Sequence, residues 1–105
     1  MALVNNVTIN GKINFEPNIY KTAKGNKMAK FTLNCYLGKD KDGKARYGNF
    51  MVKTFDNDMA QLVENVGKDA KVIVTGKLDI ESYTNKEGKE VISQVIDAAV
   101  VSVMA

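Results

Sequence analysis

The run Phe50-Met51-Val52-Lys53-Thr54-Phe55-Asp56-Asn57-Asp58-Met59-Ala60-Gln61-Leu62-Val63-Glu64-Asn65-Val66-Gly67 changes period in its middle. Phe50, Val52 and Thr54 alternate with Asn49, Met51, Lys53 and Phe55, the two-residue repeat of a strand. Beyond Phe55 the apolar residues Met59, Leu62, Val63 and Val66 fall at i, i+3, i+4 and i+7. That spacing puts one stripe on a short helix over 57–66. Asp56 or Asn57 can cap its opening amides, and Gly67 can end it.

On both sides of this pivot the period is two. Val7-Thr8-Ile9-Asn10 alternates and continues past Gly11 to Ile13 and Phe15, and a glycine inside a strand marks a bulge or bend. Lys27 to Gly38 alternates, with Phe31, Leu33, Cys35 and Leu37 on one side and Thr32, Asn34 and Tyr36 on the other. The polar stretch Lys39–Lys44 has the Asp-Gly chemistry of a hairpin loop. Downstream, Val72, Val74, Gly76, Leu78 and Ile80 share one side of a long fourth strand. Asn85–Gly88 reads as a hairpin turn, and residues 90–103 as a fifth strand. Three strands, a helix and two strands describe an all-β, five-stranded Greek-key barrel, the OB-fold, which binds oligonucleotides or oligosaccharides. The central glycines supply the bends that strands need to curl around so small a barrel.

The 105 residues suit one domain, residues 1–105. With 45 % hydrophobic and 26 % charged residues the chain has the balance of a folded protein. No run approaches the roughly 18 apolar residues that span a bilayer, and no signal peptide is evident, so a cytoplasmic protein with no membrane partner is expected. There is no histidine and one cysteine. Internal disulfides, Cys/His zinc sites and His-dependent nucleophilic catalysis are thereby excluded. Cys35 shares the side of Phe31 and Leu33 and reads as a buried structural thiol. Asp56 and Asp58 stand together, but at a helix start, where capping accounts for them. No catalytic residue, metal site or cofactor is expected; a two-metal nuclease needs several converging carboxylates.

Charge is divided unevenly. Residues 1–54 carry ten Lys/Arg against three Asp/Glu, or +7; residues 55–105 carry five against nine, or −4; together they make the net +3. A basic half points to a polyanionic partner. In each strand one set of side chains fills the barrel and the other is free to bind. The free sets contain Phe55 in the third strand and Tyr83, with Lys77, Asp79 and Glu81, in the fourth. Aromatic rings beside lysines suit single-stranded nucleic acid: each base offers a π-face for stacking, and lysines neutralise phosphates. The candidate cations are Lys12, Lys21, Lys24, Lys27, Lys53 and Lys77, plus Lys39, Lys41, Lys44 and Arg46 on the long hairpin.

These runs resemble the bacterial-type single-stranded DNA-binding proteins over nearly the whole chain. Asn5-Asn6-Val7-Thr8-Ile9-Asn10-Gly11-Lys12-Ile13 is similar to that family's opening strand. Glu16-Pro17, Thr22 and Gly25 match the stretch leading to its second strand, Phe31-Thr32-Leu33. Phe55 stands at the aromatic before the helix. Gly76-Lys77-Leu78, Ser82-Tyr83 and Lys86-Glu87-Gly88-Lys89 match the fourth strand and its hairpin. The resemblance implies a homotetramer, with a dimer as alternative, that coats single-stranded DNA with little sequence preference during replication, recombination or repair. It implies stacking roles for Phe55 and Tyr83 and a phosphate role for Lys12. Asn49, and Lys39 at the start of the hairpin, stand where the family has aromatics, for which Tyr36, Tyr47 or Phe50 can substitute. Glu81 stands where a basic residue is usual. The sequence ends at Ala105, without the flexible linker and acidic tip of family members, so tail-mediated recruitment is not expected. A phage, plasmid or mobile-element accessory fits, and so does a primosomal adaptor that mainly binds other replication proteins.

Overall fold

The computed structural model describes residues 3–104; Ala105, on which the tail expectation turns, lies outside the described residues. Strands β1 (Val7–Lys21), β2 (Lys27–Lys39) and β3 (Ala45–Thr54) precede helix α1 (Asn57–Val66), and β4 (Lys71–Thr84) and β5 (Glu90–Val103) follow it. They close as a barrel in the order β1-β2-β3-β5-β4. All neighbours are antiparallel except β3 and β5, which run parallel through only three residue pairs, Met51–Val95, Val52–Ile96 and Lys53–Asp97. We call this short parallel ladder the seam.

The helix occupies the span that its apolar stripe predicts. The Asp56 carboxylate accepts hydrogen bonds from the amides of Asp58 and Met59 at 2.9 and 3.1 Å, satisfying two of the unpaired donors at a helix start. Gly67 ends the helix at φ 67° and donates its N–H to the Val63 carbonyl. Ala60 and Val63 are fully buried, facing a core of Ile13, Phe31, Leu33, Val52, Val72, Val74, Ile96 and Val101. Cys35 is buried there too, and burial raises its thiol pKa, so it is packed rather than reactive.

Two glycines carry the curl of the barrel. A Cβ at Gly11 would collide with the Asn34 carbonyl oxygen, and one at Gly76 with the Asp97 carbonyl oxygen. At both points one strand's backbone presses onto its neighbour where a side chain would hold them apart.

Alternation misplaces Phe15. Register shifts between Asn14 and Asn18, Phe15 takes a left-handed φ of 63°, and its ring is 62 % exposed instead of joining Ile13 inside. Pro17, which has no N–H to donate, lies within this bulge, and the strand then resumes to Lys21.

Because β3 and β5 are parallel and pair only at the seam, both hairpins continue beyond the barrel at the same end. The β2–β3 arm runs to Lys39–Ala45 and the β4–β5 arm to Thr84–Glu90. Leu37, Phe50 and Ile80 therefore keep the inward phase of core residues yet are exposed, since the arms have left the barrel by then; Leu78, level with the seam residue Ile96, is exposed at the rim.

Candidate nucleic-acid interface

Residues directly opposite in an antiparallel ladder point to the same face. The outer face of β2 and β3 is thus a series of rows: Lys30 with Lys53, Thr32 with Met51, Asn34 with Asn49, and Tyr36 with Tyr47. On the β1 side, Lys12 is level with Asn34 and Asn14 with Thr32. Lys12, Asn49, Tyr36, Tyr47 and Lys53 accordingly share one surface, which Phe55 continues past the end of β3. Phe50 lies on the opposite face, opposite Leu33, and lines a cavity of about 230 Å³ with Val7, Ile9, Leu78 and Ile96.

Phe55 and Tyr83 are each 57 % exposed, large apolar surfaces left in solvent. Tyr36 and Tyr47 are exposed as well and pack edge to face. At the row between them and Met51, the Asn49 side-chain oxygen accepts from the Asn34 amide at 2.9 Å, with the Asn14 amide 3.5 Å away. Sequence reasoning leaves this amide cluster unassigned, because its members are far apart in the chain.

The electrostatics differ from a uniformly basic face. Lys53, expected as a free phosphate contact, is only 6 % exposed. Its ammonium donates to Asp79 at 3.0 Å, lies 3.6 Å from a Glu81 oxygen and sits over the Phe55 ring, 5.4 Å from the centroid. Burial alone would lower the Lys53 pKa; the hydrogen bond to Asp79 and the charges of Glu81, Asp79 and Asp97 outweigh it and raise it. Lys30, absent from the sequence-based candidates although it occupies an outward position of β2, pairs with the same Glu81 at 3.2 Å. Lys27 turns to the helix, donating to Glu64 at 2.6 Å and Gln61 at 2.7 Å, and the Lys27 bond lowers the Glu64 pKa.

The remaining cations are accessible. Lys12 is half exposed and 3.7 Å from the exposed Asp69, a solvent-screened pair of little strength. Lys39, Lys41, Lys44 and Arg46 on the β2–β3 arm, and Lys77 on β4, are exposed and form no ion pair among the described residues. At the arm tip the Asp40 carboxylate accepts from the Asp42 and Lys44 amides, tying that acid into the turn. Among the described residues no group of three or more His, Cys, Asp or Glu is arranged to hold a metal, and no helix is long and apolar enough to cross a membrane.

Residues 4–104 match the family model described as the single-strand binding protein family. A search of curated proteins finds no significant match. Among solved structures, a single-strand binding protein of Plasmodium falciparum in complex with single-stranded DNA superposes with a TM-score of 0.81 at 17 % identity, covering 100 % of this chain and 98 % of that one. A small single-stranded DNA-binding protein from Streptomyces coelicolor superposes with a TM-score of 0.75 at 18 % identity, covering 94 % and 93 % of the two chains. At these identities the likeness shows the shared barrel.

Proposed function

The chain belongs to the single-strand binding protein family, a family of DNA-binding rather than catalytic proteins, and on that premise we propose that it coats single-stranded DNA with little sequence preference. Bases stack on Phe55 and Tyr83, with Tyr36 and Tyr47 as a further platform. Phosphates meet Lys12, Lys77, Lys39, Lys41, Lys44 and Arg46. Coating of this kind protects single strands during replication, recombination or repair. The observation that carries the reading is the pair Phe55 and Tyr83, each 57 % exposed: large rings are left in water where a base can cover them.

We further propose that the protein works as a homo-oligomer, a tetramer in preference to a dimer. Support comes from the inward-phase side of the β4–β5 arm, where Leu78, Ile80 and Ile92 stand exposed together. A symmetric copy is the natural cover for such a patch. Light scattering at micromolar concentration measures the mass directly.

The test of DNA binding is titration with oligo(dT). Phe55→Ala and Tyr83→Ala each weaken binding by about 1–3 kcal/mol, the range for one stacked base, with the fold unchanged by circular dichroism. Two variants that bind like the parent refute the stacking face. Duplex of equal length binds far less well, because its bases are already stacked.

A further inference from the structure

Lys53 touches both a stacking candidate and the opposite arm. It stands on β3, while Asp79 and Glu81 stand on β4, and these strands are not neighbours: β5 lies between them. The side chain therefore reaches over a whole strand, about 10 Å at the usual spacing. It does so at the seam, where three residue pairs alone join β3 to β5. Beneath the bridge Val95, in register with both Met51 and Asp79, is 1 % exposed although it lies on the outer face. The bridge thus closes over an apolar floor, and the desolvated ammonium keeps only carboxylates and an aromatic face as partners.

We propose that Lys53 is a positioning residue: Asp79 and Glu81 hold its ammonium against one face of the Phe55 ring, so that the ring keeps its other face toward a base and stays in step with Tyr83 on the same arm as the two acids. This rests on the stacking reading above and replaces the phosphate role expected of Lys53. A phosphate would have to displace Asp79, approach Glu81 and enter a site that solvent scarcely reaches. A cation over a ring is attracted by its quadrupole and restricts the ring's orientation. Tyr83 lies two residues beyond Glu81 on the same side of β4, so one bridge ties the two stacking rings into a single frame.

The test is oligo(dT) titration at several salt concentrations with the parent, K53M/D79N, F55A and the triple variant K53M/D79N/F55A, each checked for fold by circular dichroism. K53M/D79N leaves the local net charge unchanged. Positioning requires that it weaken binding about tenfold at every salt, with the slope of log affinity against log salt unchanged, and that the loss vanish in the F55A background. A slope lower by about 0.7, the loss of one phosphate contact on a single strand, overturns the proposal, as do additive losses. If K53M/D79N does not fold, D79N decides: it removes the hydrogen bond that holds Lys53 and leaves the Lys30–Glu81 pair in place, and positioning requires weaker binding at high salt, whereas tighter binding with a steeper slope overturns it. F55A binding like the parent refutes the stacking reading and this inference together. F55A weakened, with additive K53M/D79N, refutes this inference alone.

Discussion

The rings of Tyr36 and Tyr47 meet edge to face across the β2–β3 ladder, centroids 5.8 Å apart and planes at 63°. Tyr47 shares its side of the chain with Phe55, eight residues on, which at about 3.3 Å per residue is roughly 26 Å. The outer face therefore has two aromatic stations separated by Asn49, Met51 and the bridged Lys53.

A separation of that size makes the tyrosine pair dependent on ligand length. With Tyr36→Ala and Tyr47→Ala combined, long oligo(dT) loses about 1–3 kcal/mol of affinity, while the shortest oligomers that still bind lose little. Fluorescence anisotropy over a length series measures this. Equal losses at every length would mean that the pair and Phe55 act on the same bases.

The unpaired cations of the β2–β3 arm set the salt response. Replacing Lys39, Lys41, Lys44 and Arg46 by Gln, singly, lowers the slope of log affinity against log salt by up to about 0.7 each, with thermal stability unchanged. The same replacement at Lys27, bound to Glu64 and Gln61, leaves the slope alone. An unchanged slope in all four arm variants would remove the arm from the phosphate path.

Gly76→Ala tests the curl. The added Cβ meets the Asp97 carbonyl and the Ala98 Cα, backbone atoms that cannot rotate away. The expected cost is about 1–3 kcal/mol, lowering Tm by roughly 4–8 °C per kcal/mol. Scanning calorimetry reads it, and an unshifted Tm would show that the strands separate there without strain.

Asp79 gives stability a pH signature. The hydrogen bond from Lys53, and next the Ile80 amide, lower its carboxyl pKa from 3.8. Its contribution is present above the unfolded value and is lost as pH falls through the lower folded value. The Tm gap between the parent and Asp79→Asn thus holds at neutral pH and narrows as pH drops below 3.8. Lys53, whose pKa is raised from 10.5, behaves oppositely: its contribution is present below that value and is lost as pH rises through the higher folded one. A gap for Asp79→Asn that is flat down to strongly acid pH would disprove the pairing.

The helix is legible in the sequence because Met59, Leu62, Val63 and Val66 write its period directly, and the ladders because Phe31, Leu33 and Cys35 alternate without interruption. Legibility stops where a residue's fate depends on what lies across the sheet. Ile80 continues the alternation of Val74 and Leu78, and nothing local tells that its arm has left the barrel. Phe15 keeps phase with Ile13 until the bulge turns it out. The exposed positions of Phe55 and Tyr83 follow from strand phase alone. The capture of Lys53 by Asp79 does not, because their strands are joined only through β5 and the contact spans 26 residues of chain.

The bare tip of the β2–β3 arm has a kinetic consequence. Residues 39–46 hold four cations against two carboxylates, a local +2, at the far end of a projecting hairpin. At physiological ionic strength fields decay over about 8 Å, so a charge on a protrusion acts further into solution than one on the barrel wall. The acids beside Lys53 and Lys30 cancel much of the field nearer the seam. An approaching polyanion is therefore drawn to the tip and arrives there before any base meets Phe55. Diffusional capture at the tip, where Tyr36 and Tyr47 are the first rings met, and stacking on Phe55 at the far end of β3 become separate events.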